Sequence, residues 1–237
     1  MGVASNIAKV AAGALIAGGL VGASMRTSDE SLRPPGSSDE QDFLAKCIKC
    51  GRCIEACPFK AIIPEQGTLG IGSSVGAPTF DMREQACHMC EDFPCIEACP
   101  TGALLPVASR DVARIGTAVI KRDLCIAVKG LRCEVCYRAC PFMDKAITID
   151  YHMREHDDLH AVFEPIVNPV HCTGCGICVE RCVVDDPEVA IEIVRDFDTA
   201  LERIDEEQAK GALDAWSGGT GADTSAVGLF EQRGSNN

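Results

Sequence analysis

Apolar positions in this chain fall in short bursts rather than long periodic runs. Ala61-Ile62-Ile63, Ala118-Val119-Ile120, Pro165-Ile166-Val167 and Val189-Ala190-Ile191-Glu192-Ile193 are brief and rich in β-branched residues. Ala103-Leu104-Leu105 and Ala146-Ile147-Thr148-Ile149 have the same form. Runs this short predict small hairpins. Two segments break the rhythm. The stretch from Val10 to Met25 is apolar and rich in Ala, Gly, Leu and Val, with Lys9 ahead of it. It is shorter than the about 20 residues of a spanning helix and fits the apolar region of a signal peptide, with Val21-Gly22-Ala23 as small residues for cleavage. Residues 1–25 are therefore expected to be a signal peptide or an N-terminal membrane anchor. At the other end, 196–216 sets Phe197, Ala200, Leu201, Ile204 and Leu213 among charges, which predicts an amphipathic helix packed back on the domain, interrupted at Gly211. Residues 26–42, with Arg33-Pro34-Pro35-Gly36-Ser37-Ser38, read as a linker. Residues 217–237 read as a flexible tail.

Composition changes the picture of the interior. Hydrophobic residues make up 46% of the 237, yet aromatics only 5%. A conventional core would hold more rings, so another material is expected to fill the middle. The chain carries 16 cysteines, and their spacing decides between disulfides, zinc and iron–sulfur clusters. The formal charge of −13 excludes nucleic acid as a partner and suits a protein partner presenting a basic patch.

All the cysteines lie within 43–195, as a fourfold repeat. The first group is Cys47, Cys50, Cys53, Cys57 and then Pro58. The second is Cys87, Cys90, Cys95, Cys99 and then Pro100, with two extra residues before its third cysteine. The third is Cys125, Cys133, Cys136, Cys140 and then Pro141, with five extra residues after its first. The fourth is Cys172, Cys175, Cys178, Cys182, followed by Val183. In C-x2-C-x2-C-x3-C-P, three thiolates wrap one cubane and the fourth reaches the neighbouring cluster. The proline turns the chain away. Zinc sites need no such third and fourth cysteine, and disulfides within C-x2-C-x2-C would be strained. The expected cofactors are four [4Fe–4S] clusters, with all sixteen cysteines as iron ligands. The expected fold is α+β: tandem bacterial-type two-cluster ferredoxin modules, with short β-hairpins and helices around the clusters.

Spacing leaves open which groups pair. Adjacent pairing and nested pairing leave comparable gaps. Resemblance to the four-cluster subunits of molybdoenzymes favours the nested form, with an inserted module over about 80–150.

The cysteine contexts carry a further resemblance. Leu32-Arg33-Pro34-Pro35-Gly36, the stretch Cys87-His88-Met89-Cys90-Glu91-Asp92-Phe93-Pro94-Cys95, the insertion Gly130-Leu131-Arg132-Cys133 and the loop Cys172-Thr173-Gly174-Cys175-Gly176-Ile177-Cys178 resemble the ferredoxin-type proteins of periplasmic nitrate reductase systems (the NapG type). The MauM type of methylamine utilisation is similar. The resemblance runs from about Leu32 to about Ile193. It implies an electron carrier without a catalytic site, periplasmic and membrane-associated. It implies a membrane quinol-oxidising iron–sulfur partner on one side and a terminal reductase, or its cytochrome, on the other. Members of that type carry a twin-arginine signal, where this chain has Ser5-Asn6-Ile7-Ala8-Lys9. The competing readings are an iron–sulfur subunit of a molybdoenzyme or hydrogenase complex, a methylamine-utilisation ferredoxin, and a cytoplasmic polyferredoxin.

Other features are expected to be structural. Gly70-Ile71-Gly72-Ser73-Ser74-Val75-Gly76 lacks nucleotide-loop spacing and reads as a flexible connection. His88 and His171 stand beside cysteines, as neighbours of a cluster rather than its ligands. His152, His156 and His160 are expected on a surface loop. No catalytic residues are expected.

Overall fold

The computed structural model describes residues 31–67, 74–154 and 157–215. The expected leader and tail lie outside them, as do 26–30, 70–73 and His156.

Two modules follow one another along the chain. In the first, helix α1 (Glu40–Lys46) starts at Asp39, whose side chain accepts from the Asp42 N–H at 2.9 Å. It buries Phe43 completely and gives way to the extended Cys47. Helix α2 (Arg52–Ala56) follows the left-handed Gly51. Strand β1 (Ile62–Pro64) pairs antiparallel with β2 (Pro78–Phe80). Helix α3 (Pro94–Glu97) begins with proline, where a missing N–H costs nothing. The two ends of this module are joined by one antiparallel bridge, Ser37 to Leu104.

The second module repeats this plan with longer parts. Strand β3 (Thr117–Ile120) leads to helix α4 (Val135–Ala139). The hairpin of β4 (Ile147–Arg154) and β5 (Asp157–Val167) follows, in a register that sets Ile147 opposite Val167. Helix α5 (Ile177–Glu180) precedes β6 (Ile191–Val194), which returns antiparallel to β3 over four residue pairs. Helix α6 (Phe197–Ala215) closes the described chain. Ala200 and Ile204 pack on Val119, so the amphipathic face lies where its pattern placed it. Gly211 does not break the helix.

Burial corrects two expectations about segments. The end of the expected linker belongs to the domain: Arg33 is fully buried, with Pro34 and Pro35 beside it. Fixed prolines and a paired guanidinium make that stretch rigid rather than loose. The histidine stretch is a hairpin, not a loop, with His152 on β4 and His160 on β5.

The main core is built around sulfur. Cys57, Cys95, Cys125, Cys136, Cys172 and Cys175 are buried among Met82, Met89, Phe93, Ile115 and Ile191. No described helix is long and apolar enough to cross a membrane.

Candidate metal centres

Each cysteine group makes a loop and then a short helix, so its fourth thiol stands one step beyond the other three. The positive φ at Gly51 and Gly176 turns two of these loops into their helices. Helices α2 and α3 lie side by side in the first module, and α4 and α5 in the second. Side-by-side packing carries each fourth thiol across to its neighbour's loop.

The outcome is four cavities, each lined by four cysteines. Site I takes Cys47, Cys50, Cys53 and, from the second group, Cys99. Site II takes Cys87, Cys90, Cys95 and, from the first group, Cys57. Site III takes Cys172, Cys175, Cys178 and, from the third group, Cys140. Site IV takes Cys125, Cys133, Cys136 and, from the fourth group, Cys182. The structure thus brings together all sixteen cysteines the sequence singled out. The nested pairing and the inserted module over 80–150 are corrected: group one exchanges a thiol with group two, and group three with group four. The reason is local. The hairpins β1–β2 and β4–β5 each return the chain within one module, so consecutive groups meet first.

Thiol chemistry tests these cavities. All sixteen cysteines are free of disulfides. Burial pushes Cys95 up to about 12, with the thiols of Cys57 and Cys53 adding to it. Burial does the same for Cys87, Cys136 and, to about 11, Cys53 and Cys175. Cys178 is pushed well above the ordinary thiol value by burial, then by Cys175 and Cys172. Thiols lining an apolar cavity hold their protons until a cation compensates their charge. Backbone N–H groups already point at the sulfurs. Ala118 donates to Cys172 Sγ at 3.4 Å. For Cys99, burial raises the pKa, but N–H groups from Leu104, Thr101 and Ala103, with the Thr101 hydroxyl, bring it below the ordinary value. The thiols are spread around each cavity rather than gathered at a point. Among the described residues, no three His, Cys, Asp or Glu side chains sit as they would about a single metal ion. That spread fits a cubane, with an iron at each thiol, better than one zinc ion.

The sites form a row. Cys53 of site I lies near enough to Cys95 of site II to repel its charge. The modules meet at sites II and III, where the Cys87 N–H donates to the Cys175 carbonyl at 2.9 Å. Cys136 of site IV similarly acts on Cys178 of site III.

Sequence reasoning missed the residues that lock this junction. Arg83 donates to the carbonyls of Val179, Glu180 and Cys182 at 2.9–3.2 Å, satisfying the end of α5. Glu180 accepts from the Ala86 N–H at 2.8 Å. A second lock joins Arg33 to Glu40 at 2.5 Å and to Glu65 at 2.7 Å. Arg195, just beyond β6, reaches the same Glu40. The only trace of this in the sequence was an arginine held against two prolines.

Of the histidines, His88 lines site II and stacks on Phe59 with ring centroids 3.8 Å apart. His171 is exposed, and His152 is 3.6 Å from Asp150. Ser74-Val75-Gly76 form a turn closed by Ala77 N–H to Ser74 O.

Comparison with known proteins agrees with the two-module division. The 4Fe-4S dicluster domain family matches residues 46–103 and 124–185, the spans that enclose groups one with two and three with four. Two dicluster domains carry four [4Fe–4S] clusters. The chain is similar to the ferredoxin-type protein NapG of Escherichia coli, 41% identical over 74% of this chain and 76% of that protein. It is also similar to the methylamine utilization ferredoxin-type protein MauM of Paracoccus denitrificans, 37% identical over 68% and 70%. MauM of Methylorubrum extorquens is 36% identical over 68% and 72%.

Proposed function

Because the chain belongs to the family of ferredoxin-type proteins that includes NapG and MauM, and so is an electron carrier rather than an enzyme, we propose that it takes electrons from quinol through a membrane iron–sulfur partner. It delivers them to a periplasmic reductase such as nitrate reductase, or to that reductase's cytochrome. The sixteen cysteines ligate iron in the four sets described, and the protein works in the periplasm at the membrane face.

One observation supports this above the rest: four four-thiol cavities stand in a row from one module to the other. Bound there, [4Fe–4S] clusters supply one-electron steps. The chain's own part is to bring four thiols to each cavity and to aim N–H groups at sulfurs such as those of Cys172 and Cys99. The export segment expected at 1–25 and the Gly130-Leu131-Arg132-Cys133 insertion support the periplasmic assignment.

The MauM relatives favour a second reading, electron transfer in methylamine utilisation. A chromosomal deletion separates the two. On the first reading the deletion strain loses quinol-driven nitrate reduction yet keeps nitrate reduction driven by reduced viologen. Unchanged quinol-driven reduction, with lost growth on methylamine, selects the second. Anaerobically purified protein should contain about sixteen irons per chain. Zinc at one ion per site would end both readings.

A further inference from the structure

The four cysteine loops differ in charge. Residues 46–60 around site I read Lys-Cys-Ile-Lys-Cys-Gly-Arg-Cys-Ile-Glu-Ala-Cys-Pro-Phe-Lys. Lys46, Lys49, Arg52 and Lys60 stand there against a single acid, Glu55, in a chain of formal charge −13. All five side chains are exposed. Between their cysteines, the loop of site II carries Glu91 and Asp92, the loop of site III carries no charge, and the loop of site IV carries Lys129 and Arg132 against Glu134.

An exposed thiol sets the site I loop apart from that of site IV. Ile48 is 64% exposed between two site I cysteines, as Leu131 is 61% exposed between two of site IV, but Cys50 is the one exposed cysteine of the sixteen. Some of the basic charge is locally answered. Lys46 pairs with Asp42 at 2.6 Å, and Lys60 donates to the Glu55 carbonyl. Lys49 and Arg52 line the cavity of site I itself, next to Cys50 and Cys53. An apolar tip ringed by cations, over a thiol open to solvent, is a docking face built for an acidic surface. The remaining surface, which is strongly acidic, repels that same partner and so orients it.

Resting on the electron-carrier reading above, we propose that site I is the end at which an acidic redox protein docks, held by Lys49 and Arg52 around Ile48. Site IV is the opposite end of the row. A one-electron exchange with such a partner leaves one centre oxidised and the other reduced, and no proton or atom need move.

The probe is cytochrome c with its lysines succinylated, which makes it acidic, beside the unmodified basic cytochrome. Three full-length proteins are compared: wild type, Lys49→Glu with Arg52→Glu, and Lys129→Glu with Lys145→Glu. The last carries the same charge change on the second module. Calorimetric affinity is measured first, then the rate of haem reduction by stopped flow. The site I variant should bind and reduce the acidic cytochrome about tenfold more weakly at low salt, and the difference should vanish above about 0.5 M salt. The control variant should match wild type, and iron content should be equal in all three.

Equal losses in both variants would show a general charge effect and overturn the proposal. So would an unchanged affinity in the site I variant. Variant-dependent binding to phosphatidylglycerol vesicles, with no change towards the cytochrome, would reassign the face to a lipid surface and also overturn it. If wild type reduces neither cytochrome, the electron-carrier reading fails instead.

Discussion

The first module closes its ribbon with one backbone bridge, Ser37 to Leu104, while the second closes with four paired residues. Inner hairpins differ in the same sense. β1 and β2 have three residues each, whereas β4 and β5 have eight and eleven. The second ladder is also roofed by α6 through Val119, Ala200 and Ile204. What the first module lacks in strand pairing it replaces with charge: the buried Arg33, Glu40 and Glu65, with Arg195 reaching in from the second module. One plan is thus stabilised by backbone and apolar packing in one copy and by an ion network in the other. Such a network is costly to break by removing one member, yet weak as a net source of stability. The weaker copy is the one that presents the exposed Cys50.

Stripping iron should break the comparison most visibly. Under a chelator and mild oxidant, the first module should lose its clusters ahead of the second, passing through a species with about eight irons per chain. Limited proteolysis should then cut within 31–105 before it cuts within 117–215. Simultaneous loss from both modules would mean that the ladder and helix give the second no advantage.

Next in size is the ion network. Arg33→Met leaves Glu40 and Glu65 without the buried guanidinium and should cost about 3–5 kcal/mol in denaturant unfolding of the first module. Acid should undo the same network. Burial pushes Glu65 up, but hydrogen bonds from Ser31, Ser74 and Arg33 hold it below the ordinary carboxylate value. Its contribution is therefore complete at neutral pH and disappears as pH falls through that lowered value. Glu65→Gln should flatten that acid dependence of unfolding, and an equally steep dependence in the variant would assign it elsewhere.

Ile204→Ala tests the second module's roof. It removes a side chain that is 8% exposed and should cost about 2–3 kcal/mol, with hydrogen exchange faster in β3 and β6 than in β1. Smallest is the junction itself. Gly176 has φ +83°, and an added Cβ would stand 2.9 Å from Met82 Cγ. Gly176→Ala should cost about 1–2 kcal/mol and weaken the magnetic coupling between sites II and III in low-temperature EPR, while coupling within each module stays.

The cysteine spacing made the chemistry legible, because a cubane needs three thiols at fixed steps. The ribbons at Ala118-Val119-Ile120 and Ile191-Glu192-Ile193 were legible too, since β-branched bursts flank each loop. Partner choice was not. A fourth cysteine followed by proline says that the thiol leaves its own group, and nothing in the spacing says where it goes. Nested pairing was therefore a transfer from another protein class, and two local hairpins overrule it. Arg33-Pro34-Pro35-Gly36 misled for a different reason: linker composition and a rigid, buried turn use the same residues. Ala103-Leu104-Leu105 looked like a full strand, yet it makes one bridge because its partner at Ser37 follows a proline turn.

The crossed thiols also impose a timetable on biosynthesis. With the proposed ligand sets, the cavity begun at Cys47 remains one sulfur short until Cys99 has left the ribosome. The cavity begun at Cys125 waits still longer, for Cys182. Site III, by contrast, is complete at Cys178. A nascent chain halted between those last two cysteines would fill its third cavity and leave its fourth open.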